Sequence, residues 1–148
     1  MALSMFGEFF HNVDAKGRLS VPAKFRDALG STVVIGIDPD GCLRLYSAEN
    51  YDKFVEKLQE EIDTSTPKGR KIFMYFTAKA STCDLDSQGR IIIPPSLRDH
   101  AGITKEVVVV GNGSKAMVWD RKKYEEVFAD MDDDAFVSDL IEQYNLKI

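Results

Sequence analysis

The sequence has few of the residues that build metal sites, disulfide frameworks and most active sites. Only two cysteines and two histidines occur in 148 residues. Cys42 and Cys83 lie far apart and form no Cys-x-x-Cys motif, so we expect two reduced cysteines in the core or in strands. His11 and His100 belong to no cluster with the ligand spacing of a structural zinc site. The sequence therefore predicts neither a metal nor a cofactor.

Long apolar segments and N-terminal sorting signals are also missing. No run approaches the length of about 18 apolar residues that a membrane-spanning helix needs. The N-terminal residues lack the basic and apolar regions of a signal peptide. We therefore expect a cytoplasmic chain without membrane contact. Hydrophobic residues make up 44% of the sequence and charged residues 29%, which is typical of a globular domain.

The sequence also lacks recognisable catalytic motifs. It contains no Gly-x-Ser-x-Gly, no His-Glu-x-x-His and no glycine-rich phosphate loop. Asp38, Asp40 and Glu49 have the spacing of a calcium loop, but Cys42 and Leu43 occupy its next ligand and glycine positions, so we expect a plain turn. We predict that the protein is not an enzyme and has no small-molecule substrate.

The net charge of −5 argues at first against a nucleic-acid-binding protein, because such domains are usually basic. The distribution of charge changes this interpretation. Residues 120–148 contain four basic and nine acidic residues, so they carry the whole net charge, and residues 1–119 are neutral. We expect this acidic tail to pack away from any DNA-binding face and to discourage indiscriminate binding.

What the sequence does contain is an internal repeat. Residues 14–26 and 86–98 share the frame Asp-x-x-Gly-Arg-[Leu/Ile]-x-[Val/Ile]-Pro-x-x-[Phe/Leu]-Arg. An apolar strand, a turn, a second strand and a helix then follow in the same order in both copies. We predict two interlocked repeats, at about 6–62 and 78–131, within a single domain over 1–148 that ends in an acidic helical extension.

Each repeat is predicted to have the order β-β-α-β-β, so the fold class is mainly β with helices (α+β). Asp-x-x-Gly is predicted to be a hairpin turn between a first strand and a return strand, and its glycine supplies the positive φ. Proline then ends the pairing and begins a short helix that a glycine terminates. In the two copies these features are Phe6–Val13, Leu19–Val21, Pro22 and Gly30, and Ser81–Leu85, Ile91–Ile93, Pro94-Pro95 and Gly102.

Longer helices are predicted after the β-β-α-β-β segment of each repeat, from apolar residues at helical spacing and from capping residues. The first is predicted to begin after Ser47 and to end near Ile62, and a second begins at Thr66-Pro67 and ends near Phe76. Asp120 is predicted to cap a helix to Met131, which Asp132, Asp133 and Asp134 interrupt before a last helix.

The doubled Asp-x-x-Gly-Arg frame is the best candidate for a functional site. For Asp14 and Asp86 we favour a structural role, in which the carboxylate accepts hydrogen bonds from turn amides and pairs with the arginine. Arg18 and Arg90 begin exposed strands beside a rigid turn, where a guanidinium can grip a phosphate or a guanine edge.

Further basic residues are concentrated in the first copy. Lys16 and Lys24 have Gln88 and Ser96 as counterparts in the second, so we expect the first half to face phosphate. Two alternatives stay open for Arg26 and Arg98 on the short helices, which are equally suited to DNA contact and to internal ion pairs.

With its two Asp-x-x-Gly-Arg-x-x-x-Pro frames, its β-β-α-β-β order and its Met5-Phe6-Gly7 start, the chain resembles the MraZ family of bacterial regulators. That family is in turn similar to the AbrB and MazE type of swapped-hairpin DNA-binding domains. The resemblance covers essentially the whole chain, apart from the short lead Met1–Ser4. It implies a double-split β-barrel in which the two copies imitate an AbrB-type homodimer.

The resemblance also implies a function. We expect a transcriptional repressor, associated with the nucleoid, that binds direct repeats in double-stranded promoter DNA upstream of its own division and cell-wall gene cluster. We expect self-assembly into a homo-oligomeric ring, with an octamer favoured. The alternative is an AbrB/MazE-like protein-binding module of antitoxin or scaffold type. The DNA-binding residues would be Arg18, Lys16, Arg90, Lys24, Arg26 and Arg98, on a frame set by Asp14, Gly17, Pro22, Asp86, Gly89 and Pro94.

Overall fold

The computed structural model describes residues 4–148. Residues 1–3, which bear on whether Met1 or Met5 begins the native protein, lie outside the described residues. The described chain has α+β architecture, with mostly antiparallel sheet and six α-helices.

The strands and helices follow one another along the chain in the order that the repeat predicts. The strands are β1 (Glu8–Asn12), β2 (Arg18–Ser20), β3 (Thr32–Ile37), β4 (Leu43–Ser47), β5 (Ser81–Asp84), β6 (Arg90–Ile92), β7 (Glu106–Asn112) and β8 (Lys115–Asp120). The helices are α1 (Ala23–Leu29), α2 (Ala48–Glu61), α3 (Pro67–Thr77), α4 (Pro95–Ala101), α5 (Arg121–Val127) and α6 (Asp134–Gln143), with a 3-10 helix at Ala129–Asp132.

Two antiparallel sheets are formed by strands from both repeats. One has six strands in the order β1-β7-β8-β4-β3-β5, and the other is a two-stranded ribbon of β2 and β6. In the repeat, β1, β7 and β8 correspond to β5, β3 and β4. The six-strand order therefore reads the same from both ends, as an approximate two-fold relation between the repeats requires.

The predicted pairing around the Asp-x-x-Gly segments is wrong, although the turns themselves form. Gly17 N donates to Asp14 O (2.9 Å) and Gly89 N donates to Asp86 O (3.0 Å). The strands on the two sides of each turn then diverge, because β1 pairs with β7 and β2 pairs with β6. Each of the strands that flank a turn therefore pairs with a strand of the other repeat. None of them pairs within its own repeat.

The return strands also begin one residue earlier than predicted, at Arg18 and Arg90. Both arginines therefore belong to the ladder of the ribbon. Arg18 lies opposite Ile92, Leu19 opposite Ile91 and Ser20 opposite Arg90.

One hydrophobic core joins the two repeats. The apolar positions of the repeated frame are buried in both copies. Because side chains alternate along a strand, Val118 of β8 faces this core while Trp119 faces the other side of the six-stranded sheet. The frame positions in the core are Leu19, Val21, Phe25 and Leu29 in the first repeat and Ile91, Ile93, Leu97 and Ala101 in the second.

The longer helices cover the outer side of the six-stranded sheet, which is the side opposite the core. Tyr46 of β4 stacks on Phe54 of α2 (ring centroids 5.4 Å apart). Trp119 of β8 contacts Tyr124 of α5 and Phe128 just after it (6.1 and 5.7 Å). The ribbon and the acidic C-terminal segment therefore lie on opposite sides of the sheet.

Most of the predicted helix ends are confirmed. The side chains of Ser47, Thr66 and Asp120 each accept a backbone hydrogen bond as N-caps, and Gly30 and Gly102 end α1 and α4. The helix after Asp120 was predicted to reach Met131, which is wrong: α5 ends at Val127 and a 3-10 turn follows.

The turn after β3 and the two cysteines are as predicted. The segment after β3 is a tight turn, since Gly41 N donates to Asp38 O (2.9 Å). Cys42 and Cys83 are free thiols, Cys42 being buried and Cys83 lying on β5, as predicted. Within residues 4–148, no helix is long and apolar enough to cross a membrane.

Gly17 lies where the turn of the first repeat meets the backbone of the second. Its φ is +82°, and a Cβ there would lie 2.8 Å from the Ile93 carbonyl oxygen of the other repeat. Gly102 also has positive φ (+62°) but has open space at its Cβ position. We expect Gly102→Ala to lower the free energy of unfolding by roughly 1 kcal/mol, the cost of the backbone conformation. Gly17→Ala should lower the free energy of unfolding by about 1–3 kcal/mol more, because the added methyl group must push the Ile93 backbone of the other repeat away.

Urea denaturation of the two variants measures this difference. Equal losses of stability in Gly17→Ala and Gly102→Ala would show that the close approach of the two repeats is not a constraint on the fold.

Candidate nucleic-acid interface

The first turn is closed around the Asp14 carboxylate. Its Oδ1 accepts hydrogen bonds from the backbone N–H groups of Lys16 (3.0 Å) and Arg18 (2.9 Å). Its Oδ2 accepts from Arg18 Nε at 2.6 Å. Asp14 therefore fixes both the turn and the base of the arginine side chain, as the sequence predicts.

The second turn repeats this geometry. Asp86 Oδ1 accepts from the N–H groups of Gln88 (2.8 Å) and Arg90 (2.9 Å), and Oδ2 accepts from Arg90 Nε (2.8 Å). In both turns the hydrogen bond from the arginine backbone N–H is the main cause that lowers the pKa of the aspartate, with the arginine side chain adding to it. The carboxylates therefore stay charged at neutral pH and keep both guanidinium groups oriented.

The ribbon presents both arginines on its outward face. Leu19 and Ile91 are opposite each other and fully buried. Alternation then turns Arg18 and Arg90 to the other side, where their side chains are 34% and 27% exposed. They are diagonal neighbours across the ribbon, a position that separates residues by roughly 7–8 Å. Among the described residues, the side-chain hydrogen bonds of both arginines use Nε and none uses an Nη group.

Arg26 and Arg98 point inward and tie each short helix to the opposite turn. Arg26 Nε donates to Val21 O and Arg98 Nε donates to Ile93 O, both at 3.0 Å. The Arg26 guanidinium occupies the space beside Gly89, and the Arg98 guanidinium occupies the space beside Gly17. The sequence left DNA contact and an internal ion pair as alternatives for these two arginines. In the structure each has an internal partner, which is a backbone carbonyl and not an acid.

The same exchange separates the two lysines of the first repeat. Lys16 is exposed in the first turn. Lys24 is exposed on α1, which starts beside the second turn because Val21 N donates to Gly89 O (2.9 Å). The four basic residues of the first copy are therefore not one cluster. One lysine lies towards each end of the ribbon.

Three residues of this surface were not among the predicted site residues. Ser20 and Ile92 share the outward face of the ribbon, and Ile92, opposite Arg18 at the end of β6, is 54% exposed. Lys105 lies beside the first turn, because its carbonyl accepts from Val13 N (2.7 Å). Alternation along the predicted strands could have indicated Ser20 and Ile92. No local signal connects Lys105 with residue 13, since 92 positions separate them.

The outward face of the ribbon carries the positive charges of Arg18 and Arg90. Among the described residues, no group of three or more His, Cys, Asp or Glu side chains could hold a metal ion. The two guanidinium groups can donate paired hydrogen bonds to a phosphate or to the O6 and N7 atoms of guanine.

Comparison with known proteins finds similar proteins over most of the chain. A family model described as "MraZ protein, putative antitoxin-like" matches residues 5–72 and 76–140, one match for each repeat. The chain is 41% identical over 141 residues to a "Transcriptional regulator MraZ" of Lachnoclostridium phytofermentans, covering 95% of this chain and 97% of the relative. It is 42% identical over 130 residues to the protein of that name from Ligilactobacillus salivarius, covering 88% and 90%.

The turn geometry predicts how stability depends on pH. Folding lowers the pKa of Asp14 and of Asp86, so their contribution is complete above the unfolded value of about 3.9 and is lost as the pH falls through the lower folded value. We expect Asp14→Asn/Asp86→Asn to be less stable than the unmodified protein from pH 8 down to about 5. The difference in free energy of unfolding between the two proteins should shrink below a pH of about 4. Urea denaturation at several pH values measures it, and a difference independent of pH would contradict the assigned role of the carboxylates.

Proposed function

This chain belongs to the MraZ family, and on that premise we propose that it is a transcriptional regulator that binds double-stranded DNA through the outward face of the β2–β6 ribbon. The observation that carries the proposal is the position of Arg18 and Arg90, held by Asp14 and Asp86 on one face of a two-stranded ribbon. The MraZ family is a family of transcriptional regulators and not of enzymes, in agreement with the sequence.

The dimensions of the ribbon suit the major groove. A two-stranded antiparallel ribbon fits the width of that groove, and arginine is the commonest reader of guanine there. A separation of roughly 7–8 Å between the arginines spans about two base-pair steps, since the rise is about 3.4 Å. The approximate two-fold relation between Arg18 and Arg90 matches the local two-fold symmetry of duplex DNA, so one chain reads a short, nearly symmetric element.

Lysines at the two ends of the ribbon supply phosphate contacts. Lys16 beside the first turn and Lys24 near the second are exposed and have no intramolecular ion pair among the described residues. Such contacts add affinity without sequence information. Each neutralised phosphate adds about −0.9 to the slope of the logarithm of the binding constant against the logarithm of the salt concentration.

The remaining features follow from the family and are part of the proposal. The DNA targets are direct repeats upstream of the protein's own division and cell-wall gene cluster, where it acts as a repressor, so the protein is cytoplasmic and associated with the nucleoid. Residues 1–148 form one domain, whose sheets make a double-split barrel. Copies assemble into a closed ring, with eight subunits favoured, and several subunits on several repeats raise the affinity because later contacts are intramolecular.

A protein-binding module of antitoxin type is the second candidate. The observation that favours it is the exposed apolar surface of α5, the 3-10 turn and α6, where no residue is buried. Recovery of a stoichiometric protein partner of different sequence, together with no DNA shift at low salt, would support this candidate over DNA binding.

The proposal predicts the effect of removing one guanidinium. Arg18→Ala should lose roughly 1–3 kcal/mol of binding free energy for each chain in contact with DNA, and this abolishes a shift that depends on several chains. Arg90→Ala should behave alike, since its geometry is the same. Arg121→Ala is the matched control, because this exposed arginine lies at the start of α5 on the other side of the sheet.

A gel shift on the DNA upstream of the gene, at two salt concentrations, measures these effects, with size-exclusion chromatography to check assembly. The unmodified protein and Arg121→Ala should shift the repeats, more weakly at the higher salt concentration. A normal shift by Arg18→Ala would mean that the ribbon is not the contact surface.

A further inference from the structure

The helices on the outer side of the six-stranded sheet are poorly covered. None of the residues in α3, α5, the 3-10 helix or α6 is buried. Exposed apolar side chains that are grouped on helices in this way mark an interface. The exposed apolar residues are Ile72, Met74 and Tyr75 on α3, and Val127, Phe128, Met131, Phe136, Tyr144, Leu146 and Ile148 in the C-terminal segment.

The two apolar surfaces have opposite charge. Residues 64–83, which include α3, contain four basic residues and no acidic one. Residues 124–146, which include the 3-10 helix and α6, contain eight acidic residues and no basic one. The basic residues are Lys68, Arg70, Lys71 and Lys79, and the acidic ones are Glu125, Glu126, Asp130, Asp132, Asp133, Asp134, Asp139 and Glu142.

On α3 the charges and the apolar groups share one face. Phe73 and Phe76 turn inward, and Phe76 contacts Phe54 of α2 (5.6 Å between centroids). The side chains at helical spacing on the outward face are exposed. We call this surface, together with the exposed Lys79 just after the end of the helix, the basic face, and it consists of Lys68, Lys71, Ile72, Tyr75 and Lys79.

The C-terminal segment offers a matching surface. A groove of about 330 Å³ opens between β1 and α5, lined by the apolar Phe128 and Met131 and the acidic Glu125 and Asp132. Further acidic side chains follow on α6. We call the exposed residues of 124–146 the acidic face, and its groove has room for an apolar side chain of the basic face.

We infer that the basic face of one copy packs on the acidic face of the next copy. The inference rests on the self-assembly within the proposed function and names the two surfaces that form the contact. The partner is a second copy of this chain because both halves of the interface, apolar groups with opposite charges around them, are present on every copy. Aligned opposite charges steer the encounter and fix which surfaces meet.

Contact between like faces is disfavoured by the same charges. Two acidic faces would bring eight carboxylates against eight, and two basic faces would oppose three lysines to three, which costs free energy. The contact therefore joins two different surfaces. A heterologous contact leaves one free face of each kind on every dimer, so assembly continues until a ring closes.

The two faces lie on the side of the sheet opposite the ribbon. α3 packs beside α2, which covers Tyr46, and the acidic segment follows α5, which covers Trp119. Assembly through these faces leaves Arg18 and Arg90 of every copy uncovered.

Charge substitutions in each face test the inference: the first variant reverses the basic face, and the second lowers the net charge of the acidic face from −8 to −2. The first variant is Lys68→Glu/Lys71→Glu/Lys79→Glu, and the second is Glu126→Lys/Asp139→Lys/Glu142→Lys. All six side chains are exposed and none makes an ion pair among the described residues, so both variants should fold. Light scattering after size exclusion should give several times 16.6 kDa for the unmodified chain and 16.6 kDa for each variant alone.

Mixing the two variants gives the decisive result. The first variant keeps its acidic face and the second keeps its basic face, so an equimolar mixture can form one contact and should give a complex of twice 16.6 kDa. A monomeric unmodified chain, variants that retain the full mass, or a mixture without a complex would each overturn the inference. A like-with-like contact would instead let one variant dimerise alone.

A third variant separates this test from that of DNA binding. Lys16→Glu/Lys24→Glu/Lys105→Glu makes the same charge change as the first variant, on exposed residues near the ribbon. It should keep the full oligomer mass and lose the DNA shift. Loss of mass in this variant would show that net charge, rather than the basic face, controls assembly, and a retained shift would contradict the proposed DNA surface alone.

Discussion

The structure depends on a reciprocal contact in which each repeat closes the turn of the other. Ile93 N donates to Gly17 O (2.8 Å) and Val21 N donates to Gly89 O (2.9 Å), and the inward arginines of the two short helices fill the space beside these glycines. Because of this exchange, β2 and β6 meet as a ribbon and bury Leu19 against Ile91 in the shared core. The outward arginines are then fixed without any further element. The stability of the fold and the geometry of the candidate site thus have one cause.

Local features could be predicted from the sequence because their causes are local. The turn at Gly17 and the N-cap at Ser47 each need only a few neighbouring residues, and both form as predicted. The pairing of β1 with β7 could not be predicted, since Asp-x-x-Gly specifies a turn but not the partner of the strands that leave it. The early end of α5 at Val127 had no proline or glycine signal.

The candidate site shows the same limit. The bond between Asp14 and Arg18 spans four residues and was predictable, whereas the inward direction of Arg26 depends on Gly89 of the other repeat. The net charge gave a misleading first impression for a related reason. Its acidic part follows α5 on the outer side of the sheet, away from the ribbon, where we propose that it faces a surface of opposite charge on a second copy rather than DNA. In this proposal the two sides of one sheet serve recognition and assembly separately.

The most direct test of the central claim, that Arg18 and Arg90 contact DNA, is chemical modification of arginine side chains with and without the upstream DNA. Phenylglyoxal reacts with accessible guanidinium groups, and peptide mass spectrometry reports each arginine separately. If the ribbon contacts DNA, then DNA slows the modification of Arg18 and Arg90, while Arg70 and Arg121, exposed on the other side of the sheet, react at unchanged rates. Equal rates for Arg18 and Arg90 with and without bound DNA would contradict it.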